Sequence, residues 1–327
     1  MTEKTSAKAF GNYLDVRKML TTSPPKLNHV LPGLLEAVVA LLAAPGGTGK
    51  TMFLLQLAFA IATGESLCGG LFDDVPPECA RSKAPGKVVF LAAEESAHLL
   101  WHRVHAVAQH ILDIELPRQS QQERDALLGH LEQNLRLYPL LGRPRAVLLD
   151  SDHEPSDLFN ELLEVSKDAK LVILDPLRQF HRGDENDSGN MTAVVQTLQV
   201  LAARTGAAVI LAHHTNRASS NQGNGDAAGA ARGSTALTDG VRWQVNLSNL
   251  TPELARDYKI PTGEEGRYVR VNIAKANYLA PYGTRVLQRG PRGTLSLVAS
   301  PTVTRAIAQK RAIPFAKGAR HSGEVAA

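Results

Sequence analysis

A glycine-rich segment near the start of the chain has the residue types and spacing that bind phosphate groups. Residues 41–51 read Leu-Leu-Ala-Ala-Pro-Gly-Gly-Thr-Gly-Lys-Thr and lead into a helical apolar pattern, with Ala44 at the first glycine of the usual P-loop pattern. Backbone N–H groups of such a turn converge on phosphate oxygens, and the helix N-terminus adds partial positive charge. We expect Lys50 to reach the β- and γ-phosphates of ATP and Thr51 to hold Mg²⁺. The predicted nucleotide-binding residues are Pro45, Gly46, Gly47, Thr48, Gly49, Lys50, Thr51 and Met52.

A P-loop also needs acidic groups on neighbouring strands, and two places in the sequence supply them. Asp175 follows the apolar residues 171–174, so we predict that it ends a buried strand and positions Mg²⁺. Pro176 comes next, where many ATPases have a glutamate, so the group that orients the attacking water must lie elsewhere. Glu94 and Glu95 stand just beyond another apolar run, and we assign Glu94 first and Glu95 second. The alternative is that this acidic pair only complements the dipole of a helix that begins there.

Two histidines, His213 and His214, end the last apolar run before a long polar segment. A polar side chain there is expected to face the γ-phosphate and to report the state of the nucleotide to the segment that follows. A capping or core histidine is the alternative. Residues 215–233 contain only small and polar side chains and two arginines. Such a segment has no large apolar anchor, so we predict a loop that becomes ordered when something binds it.

The elements that must position these residues are visible as short apolar runs that alternate with helical patterns. Apolar runs with little alternation are typical of parallel strands that are buried on both faces. We predict strands at 37–42, 88–92, 171–174 and 209–212, and helices at 49–63, 96–111, 119–134 and 190–205. Three later strands, at 241–247, 268–274 and 294–298, are predicted to form a mixed or antiparallel edge. The predicted fold class is α/β, with a mostly parallel central sheet flanked by helices.

Composition and charge bound the remaining possibilities. The chain has 327 residues, with 36 Lys+Arg against 32 Asp+Glu and a net charge of +4. Residues 301–327 contain five basic residues and one acid, so the whole net charge lies in this tail and a uniformly basic DNA-coating protein is excluded. Two cysteines and no long apolar run predict a cytoplasmic protein that does not enter a membrane. We predict an arm at 1–28, one domain at 29–300 and a basic tail at 301–327.

Several ordered motifs together resemble the RepA-type replicative helicases of broad-host-range plasmids, which are hexameric members of the RecA/DnaB-like ATPases. The resemblance runs from about Leu27 to Pro291, which is most of the chain. It is carried by residues 45–51, Ala93-Glu94-Glu95, residues 174–181, His213-His214, Arg232-Gly233-Ser234, Asp239, Arg242-Trp243 and residues 275–278. The family implies a RecA-like P-loop core, six of which form a ring with ATP at the subunit interfaces and single-stranded DNA in the central channel.

The resemblance also implies roles for individual residues. Glu94 stands where the family has its catalytic glutamate, and His213 and His214 match the pair on its sensor strand. Arg232 matches the arginine of the R-G-S segment, a candidate finger that reaches the γ-phosphate of a neighbouring subunit. Lys275 matches the lysine of the wider family's K-x-R finger, although Asn277 replaces the arginine. We therefore expect both Arg232 and Lys275 to act in trans, without a ranking between them.

The function that follows from the resemblance is ATP hydrolysis coupled to the unwinding of DNA in plasmid-type replication. Expected partners are single-stranded DNA, further copies of the chain in a hexameric ring, and a replication initiator or a primase. Two alternatives stay open. One is a RecA-like filament whose ATPase regulates assembly on DNA, and the other is a regulatory ATPase that acts on a partner without unwinding.

Overall fold

The structure is a computed structural model that describes residues 13–117, 120–143, 147–149, 154–215, 235–280 and 282–299. The strands in these residues are β1 (His29–Leu31), β2 (Leu34–Leu35), β3 (Val39–Ala44), β4 (Lys87–Ala92), β5 (Leu135–Pro139), β6 (Ala169–Asp175), β7 (Ala208–His214), β8 (Trp243–Ser248), β9 (Tyr268–Ala276), β10 (Arg285–Arg289) and β11 (Leu295–Leu297). The first helices are α1 (Val16–Thr21), α2 (Lys50–Thr63), α3 (Ala97–His110), α4 (Gln121–Asn134), α5 (Asp157–Val165) and α6 (Ser188–Thr205). Short helices follow at Thr235–Gly240 and Pro252–Asp257.

Nine of these strands form one sheet in the order β11-β10-β9-β8-β3-β7-β6-β4-β5. Every pair from β8 to β5 in this order is parallel, whereas β8–β9, β9–β10 and β10–β11 are antiparallel. The predicted fold class is confirmed: the sheet is mostly parallel, helices flank it and one edge is antiparallel. Strands β1 and β2 form a separate antiparallel pair.

The central strands are continuous apolar runs because both faces of the sheet are covered. Strand β3 is fully buried, and β6 and β7 are buried over most of their length. One face carries a hydrophobic core shared with α2, and the opposite face carries a core shared with α6. Helix α2 is itself almost wholly buried, so it is apolar on all sides instead of showing one apolar stripe. This packing fixes the carboxyl ends of the strands relative to the first turn of α2.

The predicted strands and helices are found near their expected bounds, and two further strands of the large sheet have no counterpart among the predictions. Strand β5 follows α4 directly and lies at the parallel edge, where its residues are only half-buried. Strand β10 lies between β9 and β11 in the antiparallel edge. Both are short, and neither contains the uninterrupted apolar run that identifies the central strands.

The glycine- and proline-rich connection at 64–86 is attached to the antiparallel edge by a small polar cluster. Arg285 on β10 forms an ion pair with Asp74 at 2.5 Å, and the hydroxyl of Tyr282 donates to the same carboxylate. The Arg285 guanidinium also lies 4.3 Å from the centre of the Tyr282 ring. Burial on its own raises the pKa of Asp74, but the hydrogen bonds from Tyr282 and Arg285 and the guanidinium charge hold it below its ordinary value. These contacts fasten the connection to the sheet.

Burial in the described chain begins at His29, since residues 13–28, including α1, are all exposed. The predicted arm at 1–28 therefore contains a short exposed helix. Within the residues that the structure describes, no helix has the length and apolarity that crossing a membrane requires. The predicted basic tail at 301–327 lies outside the described residues.

Candidate functional site

The phosphate-binding loop connects the buried end of β3 to the first turn of α2. Gly47 and Gly49 have φ values of 78° and 97°, in the left-handed region that favours glycine. A Cβ at position 47 would meet nothing within 4 Å, so the demand there is on backbone conformation and not on space. Ala44, which replaces the first glycine of the usual pattern, is the last residue of β3 and pairs with His214. Because that position is ordinary strand, an alanine is accommodated without strain.

Lys50, Thr51 and Asp175 meet at the end of this loop although the aspartate is more than a hundred residues away in sequence. The ammonium of Lys50 forms an ion pair with one carboxylate oxygen of Asp175, and the Thr51 hydroxyl donates to the other at 2.6 Å. The side chains of Lys50 and Asp175 are only 7% and 3% exposed. A hydroxyl and a carboxylate oxygen are ligands that Mg²⁺ prefers, and Mg²⁺ usually takes few protein ligands beside substrate phosphates and water. The residues present therefore fit a nucleotide-bound Mg²⁺.

Met52 differs from the other predicted nucleotide-binding residues because its side chain is buried in the core beneath α2. A contact between Met52 and a nucleotide would therefore involve its backbone N–H and not its thioether.

The two candidate glutamates have different environments. Strand β4 pairs with β6 so that Ala92 lies opposite Asp175, and Glu94 follows two residues later at the same edge of the sheet. Glu94 is exposed and accepts a hydrogen bond from the Gln179 side chain at 3.3 Å. Glu95 is buried and paired with Arg103 at 2.9 Å. Glu94 is thus free to face a ligand next to Asp175, whereas Glu95 is engaged by the protein.

The two histidines at the end of β7 point to opposite faces of the sheet, since side chains alternate along a strand. His214 lies on the face covered by α2 and the P-loop, and His213 lies on the face covered by α6. Burial, and next the positive charge of Lys50, lower the pKa of His214, with Glu94 and Asp175 among the carboxylates that partly oppose this. These effects favour the neutral form of His214, which belongs to the same electrostatic group as Lys50, Glu94 and Asp175.

Of the two predicted trans residues, the structure describes only Lys275, and it does not join this group. Lys275 pairs with Gln244, which in turn lies level with Leu41, three residues before the end of β3. Lys275 is therefore two strand spacings to the side of β3 and three residues back along it, which places its Cα about 14 Å from that of the last residue of β3. Its ammonium donates to the carbonyls of Thr238 and Asp239, at 2.8 and 3.4 Å. Arg232, and residues 216–234 as a whole, lie outside the described residues.

Sequence reasoning gave no role to two residues that contact the site. Gln179, in the short 3₁₀ turn Leu177–Gln179 after β6, binds Glu94, and its closeness to Asp175 in sequence is the signal that could have identified it. Arg289, at the end of β10, donates to the backbone of the P-loop. It is more than two hundred residues from the loop, so no local pattern could have identified it.

A buried P-loop lysine, a hydroxyl and an aspartate at the carboxyl ends of parallel strands define the site of a P-loop ATPase. The chain matches the family model described as AAA domain over residues 4–220, which is more than half of its length. It therefore belongs to the AAA domain family, as a P-loop ATPase with the RecA/DnaB-like fold.

Solved structures agree with this fold. One is an ATPase domain that superposes with a TM-score of 0.54 at 15% identity, over 87% of this chain and 96% of that chain. Another is a DnaB-like replicative helicase, described with its interactions with primase, at a TM-score of 0.52 and 16% identity. The match covers 86% of this chain and 66% of that one. A KaiC-like protein of Pyrococcus horikoshii is also similar, with a TM-score of 0.49, 15% identity, and coverage of 85% and 100%. At these identities the likeness to the first two structures concerns the fold alone.

Proposed function

We propose that the protein is a cytoplasmic, ring-forming ATPase that translocates on single-stranded DNA and unwinds DNA in plasmid-type replication. The observation that carries the ATPase part is the meeting of Lys50, Thr51 and Asp175 at the sheet edge where the exposed carboxylate of Glu94 also lies. The helicase part is supported by the ordered RepA-type motifs and by the fold shared with a DnaB-like replicative helicase. A replication initiator or a primase is the proposed protein partner.

In the proposed reaction each residue has a role that its position allows. Lys50 would exchange its contact with Asp175 for the β- and γ-phosphates. Thr51 and Asp175 would hold Mg²⁺, and the ion would supply positive charge to the phosphate oxygens. Glu94 orients and polarises the attacking water from the adjacent strand. Gln179 holds the Glu94 carboxylate through its amide.

His214 completes the cis site as a neutral group beside the γ-phosphate position. Because the pKa of His214 is lowered by burial and by Lys50, it can accept or donate one hydrogen bond without adding a charge. A change in that hydrogen bond when the γ-phosphate leaves would be felt at the end of β7, where residues 215–233 begin. This is the proposed route from the nucleotide state to residues 215–233, which we propose contact the single-stranded DNA.

A further cation is proposed to come from a neighbouring subunit. The backbone of Lys275 lies about 14 Å from the end of β3, two strand spacings away, and its ammonium binds the carbonyls of Thr238 and Asp239, so it does not face phosphates bound at its own P-loop. Charge supplied in trans on a transferring phosphoryl group is worth roughly 10³–10⁵ in rate. We assign this role to Lys275 and Arg232 together, in a ring built from domains that comprise residues 29–300. The arm at 1–28 and the tail at 301–327 flank this domain.

A forked-duplex assay tests the proposal. The wild-type protein is expected to hydrolyse ATP faster with single-stranded DNA, to displace the paired strand, and to form a discrete oligomer by mass measurement with nucleotide. Lys50→Ala should abolish both activities. Hydrolysis and DNA binding without displacement would instead support a filament, and hydrolysis that ignores DNA would support a regulatory ATPase.

Mixing two inactive variants tests the trans assignment. The Lys50→Ala protein keeps Lys275 but lacks the P-loop lysine, and the Lys275→Ala protein keeps an intact P-loop but lacks Lys275. In rings assembled from equal amounts, about one quarter of the interfaces join an intact P-loop to an intact lysine, so ATPase activity should rise towards about a quarter of wild type. A mixture that stays inactive would mean that Lys275 acts at the site of its own subunit. If the Lys275→Ala protein is itself active, Lys275 has only the structural role of its hydrogen bonds to the backbone.

A further inference from the structure

Arg289, the last residue of β10, contacts the outer side of the P-loop. Its Nη2 donates to the carbonyl oxygen of Thr48 at 2.7 Å and to that of Gly47 at 3.4 Å. The guanidinium also lies against Gly49, where a Cβ would come within 2.9 Å of Nη1. The lack of a side chain at position 49 therefore makes room for Arg289 as well as permitting the positive φ of that residue.

The strand hairpin that bears Arg289 is fixed to the helix that follows the P-loop. On β11, the backbone carbonyl of Leu295 accepts from the amide of Gln56 at 2.8 Å, and the backbone N–H of Leu295 donates back to the same side chain at 2.8 Å. Gln56 is buried in α2. The reciprocal pair holds β10, β11 and α2 together, so Arg289 approaches the P-loop from a rigid base.

The charge of Arg289 is not neutralised by an acid in the part of the chain that the structure describes. Burial alone lowers its pKa, and an arginine stays protonated at any physiological pH. A half-buried cation next to a phosphate-binding loop makes that loop more attractive to an anion.

The contact with Thr48 has a specific consequence for the loop. The peptide bond is planar and trans, so the carbonyl of Thr48 and the N–H of Gly49 point in opposite directions. A charged donor on the carbonyl orients this peptide and polarises it, which makes the N–H on the other side a better donor. That N–H belongs to the turn that binds phosphate.

We propose that Arg289 is a positioning residue of the nucleotide site. It holds and polarises the peptide between Thr48 and Gly49 from outside the loop, so that the Gly49 N–H binds a phosphate oxygen of the nucleotide. The inference rests on the proposed ATPase function. The alternative is a purely structural role, called here a strand clip, in which the contact of Arg289 with the P-loop only stabilises the position of β10.

The full-length protein with Arg289→Ala or Arg289→Lys tests the proposal, with Arg292→Ala as the matched control. Arg292 follows three residues later and binds the Gln109 side chain at 2.6 Å, away from the P-loop. The measurements are the Kd for a fluorescent ATP analogue with Mg²⁺, KM and kcat for ATP, and the Tm without nucleotide.

Arg289→Ala is expected to raise Kd and KM about 10-fold or more, the effect of losing one charge-assisted hydrogen bond, with kcat changed less. Arg289→Lys keeps the charge and one donor and should recover part of the affinity. The Tm without nucleotide should fall no further than in Arg292→Ala. Unchanged Kd and KM, whether or not the Tm falls, would overturn the proposal and leave a strand clip. Wild-type protein that binds no ATP analogue would instead overturn the proposed ATPase itself.

Discussion

Replacing Glu94 and Glu95 one at a time separates catalysis from stability, because the two neighbours have opposite environments. Glu94→Gln keeps the size of the side chain and its contact with Gln179 but removes the carboxylate that would polarise water. Removal of a general base costs about 10²–10⁴ in rate. We therefore expect kcat for ATP to fall by that factor while the Kd for ATP stays within about 3-fold, since Lys50 and Thr51, the proposed phosphate and metal ligands, are unchanged.

The matched variant Glu95→Gln should behave in the reverse way. It removes a buried carboxylate that lies 2.9 Å from Arg103. The Arg103 side chain is 38% exposed and can turn towards water, so the loss is smaller than for a fully buried pair and amounts to about 1–2 kcal/mol. For a domain of this size that lowers Tm by roughly 2–6 °C. The kcat of Glu95→Gln should stay within about 3-fold of wild type, since Glu95 does not face the phosphate site.

Phosphate release at saturating ATP, binding of a labelled nucleotide and thermal unfolding give the three readouts. If Glu95→Gln lost turnover while Glu94→Gln kept it, the assignment of the base would be wrong. If both variants lost nucleotide binding, the segment between β4 and α3 would be part of the binding site, and the Glu95–Arg103 ion pair would serve binding and not stability alone.

Three further changes follow from the described contacts. Asp175→Asn should raise the Mg²⁺ concentration needed for half-maximal phosphate release at least about 10-fold, since it removes the charge of the proposed metal ligand; an unchanged Mg²⁺ titration would contradict the proposed metal site. Gln56→Leu leaves the buried N–H and carbonyl of Leu295 unpaired and should lower the free energy of unfolding, as measured by urea denaturation, by about 2–4 kcal/mol. A loss below about 1 kcal/mol would mean that these two groups find other partners. Asp74→Asn removes the carboxylate that Tyr282 and Arg285 hold. Because the pKa of Asp74 in the folded chain is below its ordinary 3.8, the variant should have its full loss of Tm relative to wild type above pH 3.8 and a smaller loss at lower pH. A loss of Tm that grows in acid would contradict this prediction.

The parts of the fold that the sequence predicts are those with a strong local pattern. The loop between β3 and α2 combines glycines, a lysine and a threonine in one short segment, and β6 is an apolar run that ends in Asp175. Each pattern is complete within about ten residues, and parallel strands necessarily bring their carboxyl ends to one edge. The meeting of Lys50, Thr51 and Asp175 is therefore predictable from the order of residues alone.

The parts that were not predicted depend on contacts between distant segments. The sequence favours Glu94 over Glu95 as the water-orienting group, but it contains no sign that Gln179 binds Glu94 or that Arg103 pairs with Glu95. In the sequence Arg289 is one arginine in a short strand, and its contact with the P-loop appears only when β10 is placed beside that loop. Tertiary packing decides such assignments, and single-sequence patterns contain no information on it.

The contacts of the antiparallel edge bear on how neighbouring sites in a ring could communicate. Lys275 is on β9, which pairs with β10, and β10 and β11 are joined to the P-loop and α2 by Arg289 and Gln56. If Lys275 reaches the nucleotide of a neighbouring subunit as proposed, it belongs to the same rigid unit as the P-loop of its own subunit. A displacement of that lysine upon hydrolysis next door must then either move its own P-loop or break the Arg289 contact. Packed elements resist continuous deformation, so we expect the lysine and its own P-loop to move together as a rigid body. Hydrolysis at one site would then alter the nucleotide affinity of the neighbouring site.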